Sequence, residues 1–162
     1  RLEGGLDRGL KLIQIRNKMT PPDARAEFAH AAVRLAHRYG ARVMVNSDAG
    51  VVRLADVDGV HLTARGLMSL TERPTGLVGA SCHDTEQLAR AMQLQLDFAV
   101  LGPIKTTASH PAATPMGWAR FAELTWGASI PVYAIGGMNE ADLEQAWRAG
   151  AHGVAMIRGA WG

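Results

Sequence analysis

The chain has 162 residues, 48% of them hydrophobic and 20% charged, which suits one globular domain and excludes a disordered chain. The formal net charge is only +2, with no basic run to mark a nucleic-acid surface and no apolar stretch near the roughly 20 residues of a membrane span. One cysteine, Cys82, excludes an internal disulfide and fits a reducing, cytoplasmic setting. The start, Arg1-Leu2-Glu3-Gly4-Gly5, has no initiator Met and no secretory hydrophobic region, as expected of a fragment of a longer protein.

Short apolar runs alternate with helical patterns along the chain. Residues 10–16 read as a strand, and Thr20-Pro21-Pro22-Asp23 opens a helix carrying Phe28, Ala32, Leu35 and Tyr39 and ending at Gly40. A strand at 42–46, a helix-like piece around 51–55, a strand at 58–62 and a weak helix at 67–73 follow. The next strand, 76–81, leads to Asp84, expected to cap a helix with Leu88 and Met92 and with Gln87 at the box position. After a strand at 97–101 comes a loop, 102–116, long enough to suggest function. Trp118, Phe121 and Leu124 mark another helix, 131–135 a strand, Asn139 a cap for a helix with Leu143 and Trp147, and 152–157 the last strand. Strict alternation of strand and helix predicts a parallel sheet. Seven units over residues 1–162 predict a single-domain α/β fold, a TIM-type (β/α)8 barrel lacking its first strand.

Function in such a barrel sits at the C-terminal strand ends. In Gln14-Ile15-Arg16-Asn17-Lys18, strand alternation puts Gln14, Arg16 and Lys18 on one face and Ile13 and Ile15 on the other. Two cations and an amide converging inside the mouth call for an anion, phosphate or pyrophosphate, unless the strand end is simply solvated. Asn46-Ser47-Asp48 offers a ligand-binding amide and a carboxylate, or an ordinary turn. Ser81 suits a pocket wall, whereas Asp84 suits a cap and Cys82 lacks an activating base. Gly136-Gly137 and Ala155-Met156-Ile157-Arg158-Gly159 follow the last two strands, where barrels often build a phosphate site from backbone N–H groups. Of six histidines, His83 and His110 hold strand-end or loop positions and are the candidate pocket groups. His30 and His37 read as surface residues, His61 as a satisfied core histidine and His152 as structural. No spacing among them makes a zinc site.

Gln14-Ile15-Arg16-Asn17-Lys18, Asp58-Gly59-Val60-His61-Leu62, Gly79-Ala80-Ser81, Gly102-Pro103, Ala134-Ile135-Gly136-Gly137 and Ala149-Gly150-Ala151-His152-Gly153-Val154-Ala155 occur in an order similar to that of the thiamine-phosphate synthase/TenI family. The resemblance covers nearly the whole chain and implies a (β/α)8 barrel entered at its second strand. It implies a domain of thiamine biosynthesis or salvage in which a thiazole phosphate nitrogen captures the cation left when pyrophosphate departs from hydroxymethylpyrimidine pyrophosphate. By matched position, Gln14, Arg16, Lys18 and Asn46 would hold the pyrimidine pyrophosphate, and Ser81, Thr107 and Ser109 would line the pocket. Gly136, Gly137 and the backbone near Ile157 and Arg158 would hold the thiazole phosphate.

The chain departs from the family pattern at three charged positions. Ser47 and Gly66 stand where the synthases place Mg²⁺-binding aspartates, and His110 stands where they place a loop lysine. No cofactor is therefore firmly implied, because Mg²⁺ relies on carboxylate oxygens, and the expectation is impaired synthase activity. The TenI-type tautomerases use a histidine one residue after the loop glycine, where Pro103 stands here, leaving His110 or His83 as acid/base candidates. A non-catalytic phosphate-binding or regulatory domain is the other reading. Ser109-His110-Pro111 further resembles barrels fused behind a Nudix hydrolase domain. The expected partners are thus a small phosphorylated heterocycle, an N-terminal Nudix domain and, through open strand edges, a second copy of the chain.

Overall fold

The computed structural model describes residues 1–16, 22–47, 56–107 and 112–161. Lys18, Thr20, Asp48, Ser109, His110 and the helix-like piece at 51–55 lie outside the described residues. A short helix α1 (Leu2–Asp7) precedes β1 (Leu12–Ile15), α2 (Pro22–Arg38), β2 (Arg42–Ser47), β3 (Gly59–Leu62) and α3 (Ala64–Ser69). Then come β4 (Leu77–Cys82), α4 (Thr85–Gln93), β5 (Phe98–Leu101), α5 (Gly117–Thr125), β6 (Val132–Ile135), α6 (Leu143–Arg148) and β7 (Gly153–Ala155). Among the described residues seven strands form one parallel sheet in sequence order, without a β7–β1 pairing.

The sheet is curled, and the reason is visible in its side chains. Met44 on β2 shares an inner apolar cluster with Phe98 and Val100 on β5, and Tyr133 and Ile135 on β6 pack against it. Strands so far apart in the order meet only if the sheet bends around them. Gly79 makes room for this, since a Cβ there would lie 2.3 Å from the Phe98 ring. The alternate residues face the helices. Ile13, Ile15 and Val43 pack with Ala29, Ala32, Val33 and Ala36 of α2, while Val60, Leu62, Val78 and Ala80 pack with Leu67 and Leu88 of α3 and α4.

Two aspartates fasten the N-terminal ends of the strands. Asp58, just before β3, accepts the Val43 N–H at 2.7 Å and faces His37 Nε2 at 3.0 Å. Asp97, just before β5, repeats the arrangement one unit later, accepting the Val78 N–H at 2.7 Å and Arg73 Nη2 at 2.6 Å. Burial raises the Asp58 carboxyl pKa, but the Val43 N–H and His37 outweigh it and leave the group below its usual value.

The expected order of elements holds, with local corrections. The third helix occupies Ala64–Ser69 rather than 67–73, because the Thr63 hydroxyl accepts the Gly66 N–H at 3.0 Å and starts it early, and Leu70 turns extended and ends it. Asp84 caps α4 as expected, accepting the Gln87 N–H at 2.8 Å. Asn139 likewise opens its helix, through a 3-10 turn at Glu140–Asp142. Helix α1 has no counterpart among the expected elements. Its Gly4 and Gly5 are poor helix formers, and tertiary packing outweighs them. Leu6 is buried in the α2 cluster, and Arg8 Nη2 donates to the Ala160 carbonyl at 2.8 Å. Helix α1 thus touches both the β1 side of the sheet and the turn after β7.

Candidate functional site

The inner face at the C-terminal strand ends has two unlike halves. On β1 to β4 it is polar. Gln14 Nε2 donates to Asn46 Oδ1 at 2.8 Å across the β1–β2 pair. Next to Asn46 in register stands His61, buried, with Nε2 3.0 Å from Ser81 Oγ and its ring 5.8 Å from that of Phe98. Burial lowers the His61 pKa to about 4, and the Arg16 guanidinium adds to the effect, so the imidazole is neutral at pH 7. With Ile13 and Ile15 packed outward and Gln14 bonded to Asn46, Gln14 lies on the inner side of β1, and strand alternation brings Arg16 to the same side two residues on. Both are exposed at the mouth.

At the strand ends of β5 to β7 the inner face is apolar, with Val100, Ile135 and Ala155 one layer above Tyr133. Polarity there comes from backbone. The loop after β5 begins with a cis Gly102–Pro103 bond, and its base is closed by Met116 N–H to the Pro103 carbonyl at 2.9 Å and Gly117 N–H to the Ile104 carbonyl at 3.1 Å. It is also laced to the turn after β6, through Ile104 N–H to the Ile135 carbonyl at 2.9 Å and Lys105 N–H to the Gly136 carbonyl at 3.1 Å. Gly136 and Gly137 have φ of +98° and +70°, and a Cβ on Gly136 would stand 2.6 Å from Pro103 Cα. These glycines therefore serve loop-to-loop contact. Gly159 packs the same way, since its Cβ would lie 2.7 Å from the Met138 carbonyl oxygen. The turn bearing Ile157 and Arg158, both exposed, thus abuts the Gly136–Gly137 turn.

Of the other site candidates, Asn46, Ser81 and Thr107 are half-buried. His83 is exposed, and its Nδ1 donates to the Gly102 carbonyl at 2.6 Å, which makes Nε2 the basic nitrogen. Cys82 points away from the mouth into the helix-side core, where burial pushes its thiol up to about 12. The described mouth residues Gln14, Arg16, Asn46, His61 and Ser81 carry no carboxylate, and Gly66 is buried in the first turn of α3, so this donor set does not fit Mg²⁺. Among the described residues no group of three His, Cys, Asp or Glu could hold a metal ion.

Residues 1–160 match the family model described as thiamine monophosphate synthase. The chain belongs to the thiamine monophosphate synthase/TenI family. It is 35% identical over 171 residues to the thiamine-phosphate synthase of Mycobacterium tuberculosis, covering 96% of this chain and 77% of that one. It is 33% identical over 161 residues to the Thermosynechococcus vestitus thiamine-phosphate synthase, covering 97% of this chain and 46% of that longer protein. The solved thiamine phosphate pyrophosphorylase of Pyrococcus furiosus superposes with a TM-score of 0.80 at 25% identity, over 96% of this chain and 77% of that one. The α/β half-barrel of seven parallel strands is therefore the family fold. No described helix is long and apolar enough to cross a membrane.

Two features of this family member escaped the sequence reading. His61, read as a core histidine, is buried but lies on the inner face beside Asn46 and Ser81, and its alternation with the outward Val60 and Leu62 was the available signal. The ion pair between Lys105 and Asp142 had no sequence signal at all, because 37 residues separate its partners.

Proposed function

We propose that this domain acts in thiamine biosynthesis or salvage, binding hydroxymethylpyrimidine pyrophosphate on the β1–β4 side of the mouth and thiazole phosphate at the turns after β6 and β7. The observation that carries this reading is the Gln14–Asn46 hydrogen bond beside Arg16 on the inner face. With Gln14 Nε2 committed to Asn46, Gln14 Oε1 and Asn46 Nδ2 remain as an acceptor and a donor for a heterocycle edge or a phosphate. Arg16 supplies a fork for phosphate oxygens, and the backbone at Gly136–Gly137, with Ile157 and Arg158, receives the second phosphate.

In the synthase reaction the carbon–oxygen bond to pyrophosphate breaks, its electron pair leaves with the pyrophosphate, and the thiazole nitrogen forms the new carbon–nitrogen bond. The leaving group needs cations. This chain offers Arg16 and Lys18 and lacks the paired carboxylates that would hold Mg²⁺ at Ser47 and Gly66. The reading therefore includes ligand binding with Mg²⁺-independent, impaired pyrophosphate release. A second reading, thiazole tautomerisation, is favoured by His83, whose Nδ1 is held by Gly102 with Nε2 left basic. The Nudix partner domain and a homodimer belong to the same proposal and rest on the sequence alone.

Calorimetry of the chain with each ligand is the test, with Arg16→Ala as control. Pyrimidine pyrophosphate binding should weaken at least tenfold in Arg16→Ala, the scale of one lost charge-assisted hydrogen bond, about 1.5–3 kcal/mol. Failure of both ligands to bind removes the assignment. Thiamine phosphate formation at a rate that climbs steeply with Mg²⁺ would show that the altered positions do not matter.

A further inference from the structure

We infer that the Lys105–Asp142 ion pair is a positioning device that holds the loop after β5 against the Gly136–Gly137 turn, and so sets the shape of the backbone anion site there. The inference rests on the reading of that turn as the phosphate site, and it adds two residues to which no ligand role has been given. Lys105 Nζ lies 2.5 Å from Asp142 Oδ1. Asp142 is buried, and its other oxygen accepts the Asn139 N–H at 3.1 Å, closing the capping box that begins the helix after β6. Burial works against the Asp142 charge, but the Lys105 ammonium and the Asn139 N–H outweigh it and hold the carboxyl below its usual range.

The pair spans the seam that the backbone already marks. The Lys105 N–H donates to the Gly136 carbonyl, and a Cβ on Gly137 would lie 2.9 Å from both Lys105 Cβ and the Thr106 carbonyl oxygen. Lys105 thus grips the turn with its main chain on one side, while its ammonium is tied past the turn to the first residues of the following helix. Since the turn bears two positive-φ glycines, its backbone has more conformations to explore than most, and a tether across it restricts them. Lys105 is half-exposed but Asp142 is buried, so breaking the pair costs some stability; its further consequence is local, the angle at which the turn presents its N–H groups. Binding geometry of this kind is sensitive to shifts on the order of 1 Å.

Calorimetry with thiazole phosphate on the purified chain separates the outcomes. Lys105→Met and Asp142→Asn should each weaken binding about tenfold, and the double variant should be no weaker than either single, as for groups acting through one contact. Lys105→Arg should restore most of the affinity. Near-UV dichroism of the same variants should change little, whereas thermal unfolding should show a modest loss, because Asp142 is buried and closes the capping box. The sign of Asp142→Asn is decisive. A lysine that contacted phosphate directly would be freed by that change and binding would tighten, which overturns the inference, as do multiplying single effects. If the unaltered chain does not bind thiazole phosphate, the phosphate site itself fails and the tether falls with it. If it binds and the variants match it, only the tether fails.

Discussion

The two halves of the barrel mouth achieve polarity by different means. From β1 to β4 it is carried by side chains, with Gln14 bonded to Asn46, His61 bonded to Ser81, and Arg16 beside them. At the strand ends of β5 to β7 the inward side chains are Val100, Ile135 and Ala155, one layer above Phe98 and Tyr133, and the turns beyond them present main-chain groups around positive-φ glycines. A side-chain wall tolerates substitution one group at a time. A backbone wall depends on its conformation as a whole, so a single added carbon should do more harm there than the loss of an entire amide on the opposite side.

The sharpest way to break that contrast is Gly136→Ala. The new Cβ meets Pro103 at 2.6 Å in a backbone with φ of +98°, so strain and crowding add. A loss of about 3 kcal/mol in urea unfolding is expected, and a loss below about 1 kcal/mol would mean the two loops are not interlocked. Next in size is the pH response of His61. Its folded pKa of about 4 lies below the ordinary imidazole value of 6.5, so between these values the unfolded chain binds the extra proton. Stability should therefore rise with pH across that window, by up to about 3 kcal/mol in total, and fall again on acidification. Asp58 and Asp142, whose carboxyls are held below 3.8, act at lower pH. Denaturant titrations at a series of pH values should show this slope, and His61→Gln should flatten it. The smallest effect belongs to Gln14→Ala, which removes one exposed hydrogen bond worth about 0.5–1.5 kcal/mol. Its cycle with Asn46→Ala should give a coupling of about 1 kcal/mol, and strict additivity would mean that the amides do not act as a pair.

This contrast also explains how much could be read in the sequence. Alternation in Leu12-Ile13-Gln14-Ile15-Arg16 is a local signal, and it is enough to divide helix-facing isoleucines from mouth-facing polar groups, as the packing of Ile13 and Ile15 on α2 shows. The order of strands was legible for the same reason, since apolar runs and caps such as Asp84 and Asn139 are short-range features. Glycines announce that something unusual happens at 136–137, but not what. Whether they make a turn, admit a ligand or receive Pro103 depends on a loop 33 residues away in sequence. The Lys105–Asp142 contact and helix α1 are hidden for the same cause, since both are decided by long-range packing rather than by propensity.

The carboxylates of Asp58 and Asp97 tie neighbouring strands at the end of the sheet remote from the mouth, each with its own side-chain partner, His37 and Arg73. Foundation and opening are therefore built from separate residues, and evolution could rework one without loosening the other. A chain with Ser47 and Gly66 near its opening and these two anchors at the far end has such a division of labour: a scaffold free to change its chemistry without renegotiating its shape.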